Sequence, residues 1–180
     1  MQKIMFNDKF GLTEAVLEGR KTMTRRIAEK VLVEDIDQRL VWTGEFKKPK
    51  YEVGEVVAVA QAYRDIRDII GDVHDGKSIK FMPGWSNKMF VKADLMPHQL
   101  RITNVRLERM QDISDGDCKK EGVDYIGGYS ESYYFGHGVG NIRLGNSPRE
   151  AFAALIDKVS GKGTWKSNPW VFVYEFELVK

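Results

Sequence analysis

The spacing of apolar residues changes twice in the first thirty positions. Residues 3–6 (KIMF) form a short apolar run that predicts a strand. Asn7 or Asp8 can cap a helix behind it, and Phe10, Leu12, Ala15, Val16 and Leu17 approximate one helical face. Gly19 is the predicted stop, because a glycine after the last turn takes the left-handed conformation without a Cβ penalty. The next residues, Arg20 to Arg26, are rich in cations and hydroxyls and read as extended chain, with Lys21, Met23 and Arg25 on one face and Thr22, Thr24 and Arg26 on the other. A tight bend after the glycine would instead bring Lys21 and Thr24 together.

Further on, residues 28–42 scatter Val31, Leu32, Val33, Ile36, Leu40 and Val41 among charges, a pattern that fits a helix or an irregular insertion equally. Residues 51–55 predict a turn, 56–60 (VVAVA) a buried strand, and 62–70 a turn or two of helix. Residues 72–76 are polar and loop-like, and Pro83-Gly84 marks a turn beside Trp85. Residues 99–109 alternate imperfectly, as a long strand with a bulge does. Ser114 predicts the cap of a helix whose positive end is favoured by Asp115 and Asp117 and which Gly122 closes. Residues 124–146, rich in Gly, Tyr and Ser, predict a long loop or lid. Ser147-Pro148 opens a last helix with Phe152, Leu155, Ile156 and Val159 as its apolar face and Gly161 as its stop. Residues 171–179 predict the final strand. Strands among helices without regular βαβ spacing give an α+β fold with a mostly antiparallel, barrel-like sheet.

At 180 residues the chain suits one domain, with no linker to divide it. Its formal net charge of +2 requires any nucleic-acid binding to come from a local basic patch. Cys118, the single cysteine, excludes an internal disulfide and a cysteine-based zinc cluster and fits a reducing compartment. With no apolar leader and no run of membrane-spanning length, the sequence reads as cytosolic (cytoplasmic). Asp72-Val73-His74-Asp75 carries potential metal ligands, but short polar loops often do, and no metal or other cofactor is expected. Gly136-His137-Gly138-Val139-Gly140 lacks the strand and helix that flank a dinucleotide loop and reads as flexible backbone. Cys118 lacks a placed histidine partner and reads as packing.

Gly19-x-Lys21-x-x-Thr24-x-Arg26 resembles the GxKxxTxR signature of the ASCH (activating signal cointegrator homology) domain, a relative of the PUA RNA-binding domain. Residues 51–60 resemble that family's VGD-then-strand segment. Met82-Pro83-Gly84-Trp85 is similar to the MPRW motif of the longer, phage-type members, with Gly84 in place of the arginine. Glu121-Gly122-Val123 resembles their EGV element, and Trp165 to Phe176 (WKSNPWVFVYEF) their closing strand. The resemblance spans most of residues 1–180 as a single domain, with insertions near 28–50 and 124–146. It implies a PUA-like fold, a small barrel with helices over its openings, and a cleft for RNA or a nucleotide-like ligand over the signature. One small bacterial member removes the acetyl group from 4-acetylcytidine, and its lysine, threonine and glutamate fall on Lys21, Thr24 and Glu121.

That trio is chemically coherent. A threonine hydroxyl becomes a nucleophile when a base takes its proton, and a lysine serves as base when burial and nearby cations depress its pKa. A glutamate opposite can protonate the leaving amine. The alternative is an ion pair, Lys21–Glu121, that ties the basic segment to a helix end. Arg26 is suited to a ligand phosphate or carboxylate. In a binding role, Lys21, Arg25, Arg26 and Lys88 contact phosphates, Trp85 or Tyr133 stacks on a base, and Asn87 reads a base edge; Trp85 is as well explained by core packing. The expected partners are RNA, single-stranded nucleic acid or a modified nucleoside. The function read from the sequence is nucleoside or RNA binding with hydrolysis of an N-acyl amide, the alternatives being a non-catalytic binding module or a ribonuclease.

Overall fold

The computed structural model describes residues 1–35, 37–126, 132–135 and 142–179. Its strands, in chain order, are β1 (Lys3–Ile4), β2 (Met23–Ile27), β3 (Lys30–Glu34), β4 (Leu40–Phe46), β5 (Val56–Val59), β6 (Val73–His74), β7 (Lys77–Ser78), β8 (Gln99–Arg109), β9 (Asp124–Ile126), β10 (Ser132–Phe135), β11 (Ile142–Gly145) and β12 (Trp170–Leu178). The α-helices are α1 (Leu12–Leu17), α2 (Arg67–Ile70), α3 (Asp115–Lys120), α4 (Pro148–Ser160) and α5 (Thr164–Ser167). The class is mixed α+β, with mainly antiparallel sheets and few helices, as the pattern of elements predicts.

The central sheet runs β1-β5-β8-β12-β2, antiparallel except where β1 lies parallel to β5. β8 and β12 form its spine, pairing from Leu100↔Leu178 to Arg109↔Trp170 with a register shift at Glu175/Phe176. The irregular alternation of residues 99–109 reflects that shift, since one slipped residue reverses the faces. Ile4, Met23, Val57, Val59, Leu100, Ile102, Val171 and Val173 are buried in one core with Phe152, Leu155 and Ile156 of α4. A second, smaller core gathers Ala58, Tyr63, Ile66, Ile79, Val91 and Met96.

Two segments differ from expectation. β3 and β4 pair as a β-hairpin, neither a helix nor an irregular insertion. Leu32, Val33, Leu40, Val41 and Trp42 are all exposed, so the hairpin lacks the buried face that would have produced alternation. The 124–146 stretch contains the three-stranded antiparallel sheet β11-β10-β9 in its described part, where the composition had predicted a loop. The 72–76 stretch, expected as a loop, contains β6 and the turn that leads into its partner β7. The Gly136–Gly140 run lies outside the described residues. Among those described, no helix is long and apolar enough to cross a membrane.

Candidate active site

Gly19 ends the first helix with φ at +73° and its N–H donating to the Val16 carbonyl. The chain then turns back: Lys21 N–H donates to Ala15 O at 2.8 Å, Thr22 N–H to Lys120 O at 2.9 Å, and Phe176 N–H to Thr22 O at 3.0 Å. These bonds pin Lys21 between α1, α3 and β12 just before β2 begins at Met23. Strand alternation therefore does not govern Lys21, and the tight-bend alternative holds: Lys21 and Thr24 line the same cavity, of about 430 Å³.

Glu121 lines that cavity too. It follows the last turn of α3, whose Ser114 cap accepts from Asp117 N–H. Lys21 Nζ lies 2.6 Å from Glu121 Oε2 and also donates to the Glu121 carbonyl at 2.8 Å, so one ammonium both pairs the carboxylate and satisfies a helix-end carbonyl. Lys21 is 2 % exposed, Glu121 4 % and Thr24 6 %. Gly122, with φ at +99°, lets the chain turn away directly behind the glutamate. Burial pulls the Lys21 ammonium below the usual lysine range; Glu121 opposes that shift, while Arg26 and Arg25 add to it.

Arg25, expected at a ligand phosphate, lines this cavity but spends its guanidinium on protein carboxylates. Its side chain is fully buried and reaches three carboxylates: Glu108 at 2.6 Å, Asp117 at 3.1 Å and Glu121 at 3.1 Å. Arg106 extends the network to Glu108 and Asp117, each at 2.9 Å, and to Glu175. Arg25 thus holds Glu121 Oε1 while Lys21 holds Oε2, and the carboxylate is fixed from both sides. A guanidinium committed in this way has little left for a ligand.

The Thr24 side chain makes no hydrogen bond among the described residues, although Thr24 pairs with Tyr174 through the backbone ladder. Most of the remaining wall is apolar, from Phe6, Leu12, Met110, Phe152, Leu155 and Ile156, with α4 along one side and Asn7 and Ser160 among its polar members. Arg26 lines the cavity as well; its Nη2 donates to Met5 O at 2.5 Å and its guanidinium lies 5.9 Å from the Phe6 ring. That bond spans the gap between β2 and the end of β1, the two edges of the central sheet.

The remaining expected site residues fall outside this cavity's lining. Trp85 is partly buried against the second core. Asn87 accepts from Met89 N–H at 3.0 Å and so caps a short 3₁₀ turn. Lys88 sits at the periphery, donating to the Phe6 carbonyl and pairing Asp8 at 2.7 Å. Tyr133 packs against Tyr125 in a tilted pair, ring centres 5.2 Å apart, and lines a separate pocket with Arg20 and Lys119. Cys118 is fully buried and its thiol is pushed up to about 12 by desolvation, in keeping with packing. Asp72 pairs with Arg67, and no group of three or more His, Cys, Asp or Glu among the described residues could hold a metal ion.

Sequence reasoning missed Glu108 and Arg106, which lie two apart on β8 beside the buried arginine; their alternation with apolar neighbours carried no sign of a partner on another strand. It read Asp117 only as a favourable charge at a helix start. Compared with known protein-family models, curated proteins and solved structures, the chain matches none.

Proposed function

We propose that the protein is an ASCH-type amidohydrolase of PUA-like fold that removes an acyl group from the exocyclic amine of a modified cytidine. The observation that carries this reading is the convergence of Lys21, Glu121 and an unpartnered Thr24 hydroxyl in one largely apolar cavity. A cavity of about 430 Å³ is within the usual range for small-molecule sites. The barrel expected of this fold is supported by the way Arg26 bridges the two edges of the central sheet. We place the protein in the cytosol, on its single buried thiol.

The resting pair, Lys21 ammonium and Glu121 carboxylate, holds one transferable proton across a 2.6 Å contact. Shifting it to Glu121 makes a neutral amine and a carboxylic acid at once, and burial reduces the cost of removing both charges together. Lys21 then takes the Thr24 proton as Oγ1 attacks the acyl carbon, and Glu121 gives its proton to the departing amine as the C–N bond breaks. This leaves an acyl ester on Thr24 and restores the charged pair. Water attacks the ester, Glu121 takes the water proton, Lys21 returns a proton to Thr24, and the acid is released. Arg25 is a positioning residue that keeps the Glu121 carboxylate against Lys21.

Incubating the protein with 4-acetylcytidine and following cytidine by chromatography tests the reading. Wild type is expected to release cytidine, with Lys21→Met and Glu121→Gln each at least ~10²-fold slower. If both variants hydrolyse at the wild-type rate, the assignment fails.

A further inference from the structure

Beyond Arg26 lies a second cavity, of about 390 Å³, which shares Met5, Arg26 and Ile27 with the first. The two are therefore adjacent compartments along the seam between the sheet edges, with Arg26 at their common boundary beside Met5 and Ile27. Their linings differ in chemistry. The first sets Lys21, Arg25 and Arg26 with Glu121 in a mainly apolar wall, whereas the second adds Lys3, Lys47, Lys48 and Lys50 to Arg26, against one carboxylate, Glu29, over a floor of Tyr51, Phe172 and Tyr174. Five cations against one anion is a steep local excess in a chain whose formal net charge is +2.

Some of that charge is already satisfied. Lys3 donates to the Met89 and Val91 carbonyls at 2.6 and 2.7 Å, and Lys47 pairs Glu29 at 2.7 Å. Lys48 is exposed and has no partner among the described residues, and Lys50 rests over the Tyr51 ring at 5.3 Å without a carboxylate. Tyr51 and Tyr174 also line the compartment; Tyr51 donates to Lys3 O and the Tyr174 hydroxyl accepts from Lys50 N–H, each at 2.9 Å, so the base of the lysine cluster is held in place. Lys47, Lys48 and Lys50 directly follow hairpin β3–β4, and Lys47 N–H donates to Glu29 O across its base at 2.9 Å. The segment read from the sequence as a variable insertion thus brings the lysines to the rim of the seam.

We propose that this second compartment binds the phosphate attached to the nucleoside whose base occupies the first, so that the substrate is a nucleotide, free or within a strand. The inference rests on the nucleoside reading above. It gives Arg26 a place between base and phosphate, with donors beyond the one spent on Met5.

The test is equilibrium binding by isothermal calorimetry of 4-acetylcytidine, its 5′-monophosphate, and a trinucleotide carrying the modified base at its centre. Both phosphate-bearing ligands are expected to bind about tenfold or more tightly than the nucleoside, weakening with added salt, as charge-assisted contacts do. In the double variant Lys48→Gln/Lys50→Gln, both of whose side chains are exposed, that ratio is expected to fall towards one. A trinucleotide preferred over the monophosphate assigns the compartment to a phosphodiester, and equal affinities assign it to a terminal phosphate. Equal binding of all three ligands by wild type, or a ratio that survives the double variant, overturns the inference and leaves the hydrolase reading standing. A phosphate preference without cytidine release upholds it and overturns hydrolysis; no binding of any ligand overturns both.

Discussion

Lys21 carries two burdens, since its ammonium pairs a buried carboxylate and satisfies the end of α3. Lys21→Met is therefore expected to cost about 3–5 kcal/mol in urea unfolding, the usual range for breaking a buried pair. The same residue gives a pH signature. Its folded-state pKa lies below the ordinary 10.5, so between the folded value and 10.5 the unfolded chain binds a proton that the folded chain has released. Wild-type stability relative to Lys21→Met should thus rise with pH across that alkaline window. A flat or falling difference between the two unfolding curves would show that the fold does not depress this lysine. Cys118 provides a second check at the same scale: with its thiol buried and pushed up to about 12, it should resist iodoacetamide at neutral pH and react once the protein is unfolded. Rapid labelling of the native protein would contradict the packing of α3.

Among the elements, the turn at Pro83-Gly84 has a packing reason for its glycine. A Cβ at Gly84 would stand 2.5 Å from the Tyr63 ring, and Tyr63 is fully buried with its hydroxyl accepting from Lys92 N–H at 2.8 Å. A side chain at 84 would therefore force the buried Tyr63 ring to shift. Gly84→Ala should cost about 1–3 kcal/mol, the range for overpacking; unchanged stability in chemical denaturation would contradict the contact. Elements with a buried side were legible in the sequence. β12, β8 and α4 fall within a residue or two of their expected bounds because each must hide one face. Hairpin β3–β4 was not legible, since its apolar residues stand in solvent on both faces, and aromatic contacts such as Phe46 with Trp42 and Trp170, at 5.9 and 5.8 Å, leave no periodic trace. β9 to β11 were hidden in the same way by short length and a Gly- and Tyr-rich composition.

For the whole molecule, the site is a product of topology. Lys21 and Thr24 come from one end of the chain and Glu121 from a helix a hundred residues later, and the order β1-β5-β8-β12-β2 leaves edges β1 and β2 facing a common seam. The signature residues were visible in the sequence, but the ion-pair network that holds Glu121 was not, because Arg25, Glu108 and Asp117 meet only through that strand order. The same network separates a positional from a chemical role for the trio. Thr24 is the member whose side chain makes no hydrogen bond among the described residues, so it should contribute little to stability and much to turnover. The decisive measurement is the rate of cytidine release from 4-acetylcytidine by Thr24→Val, whose shape matches threonine. The account predicts a folded protein with wild-type thermal stability and a rate at least ~10³-fold below wild type. Turnover at the wild-type rate by that variant would contradict Thr24 as the nucleophile and, with it, the proposed mechanism.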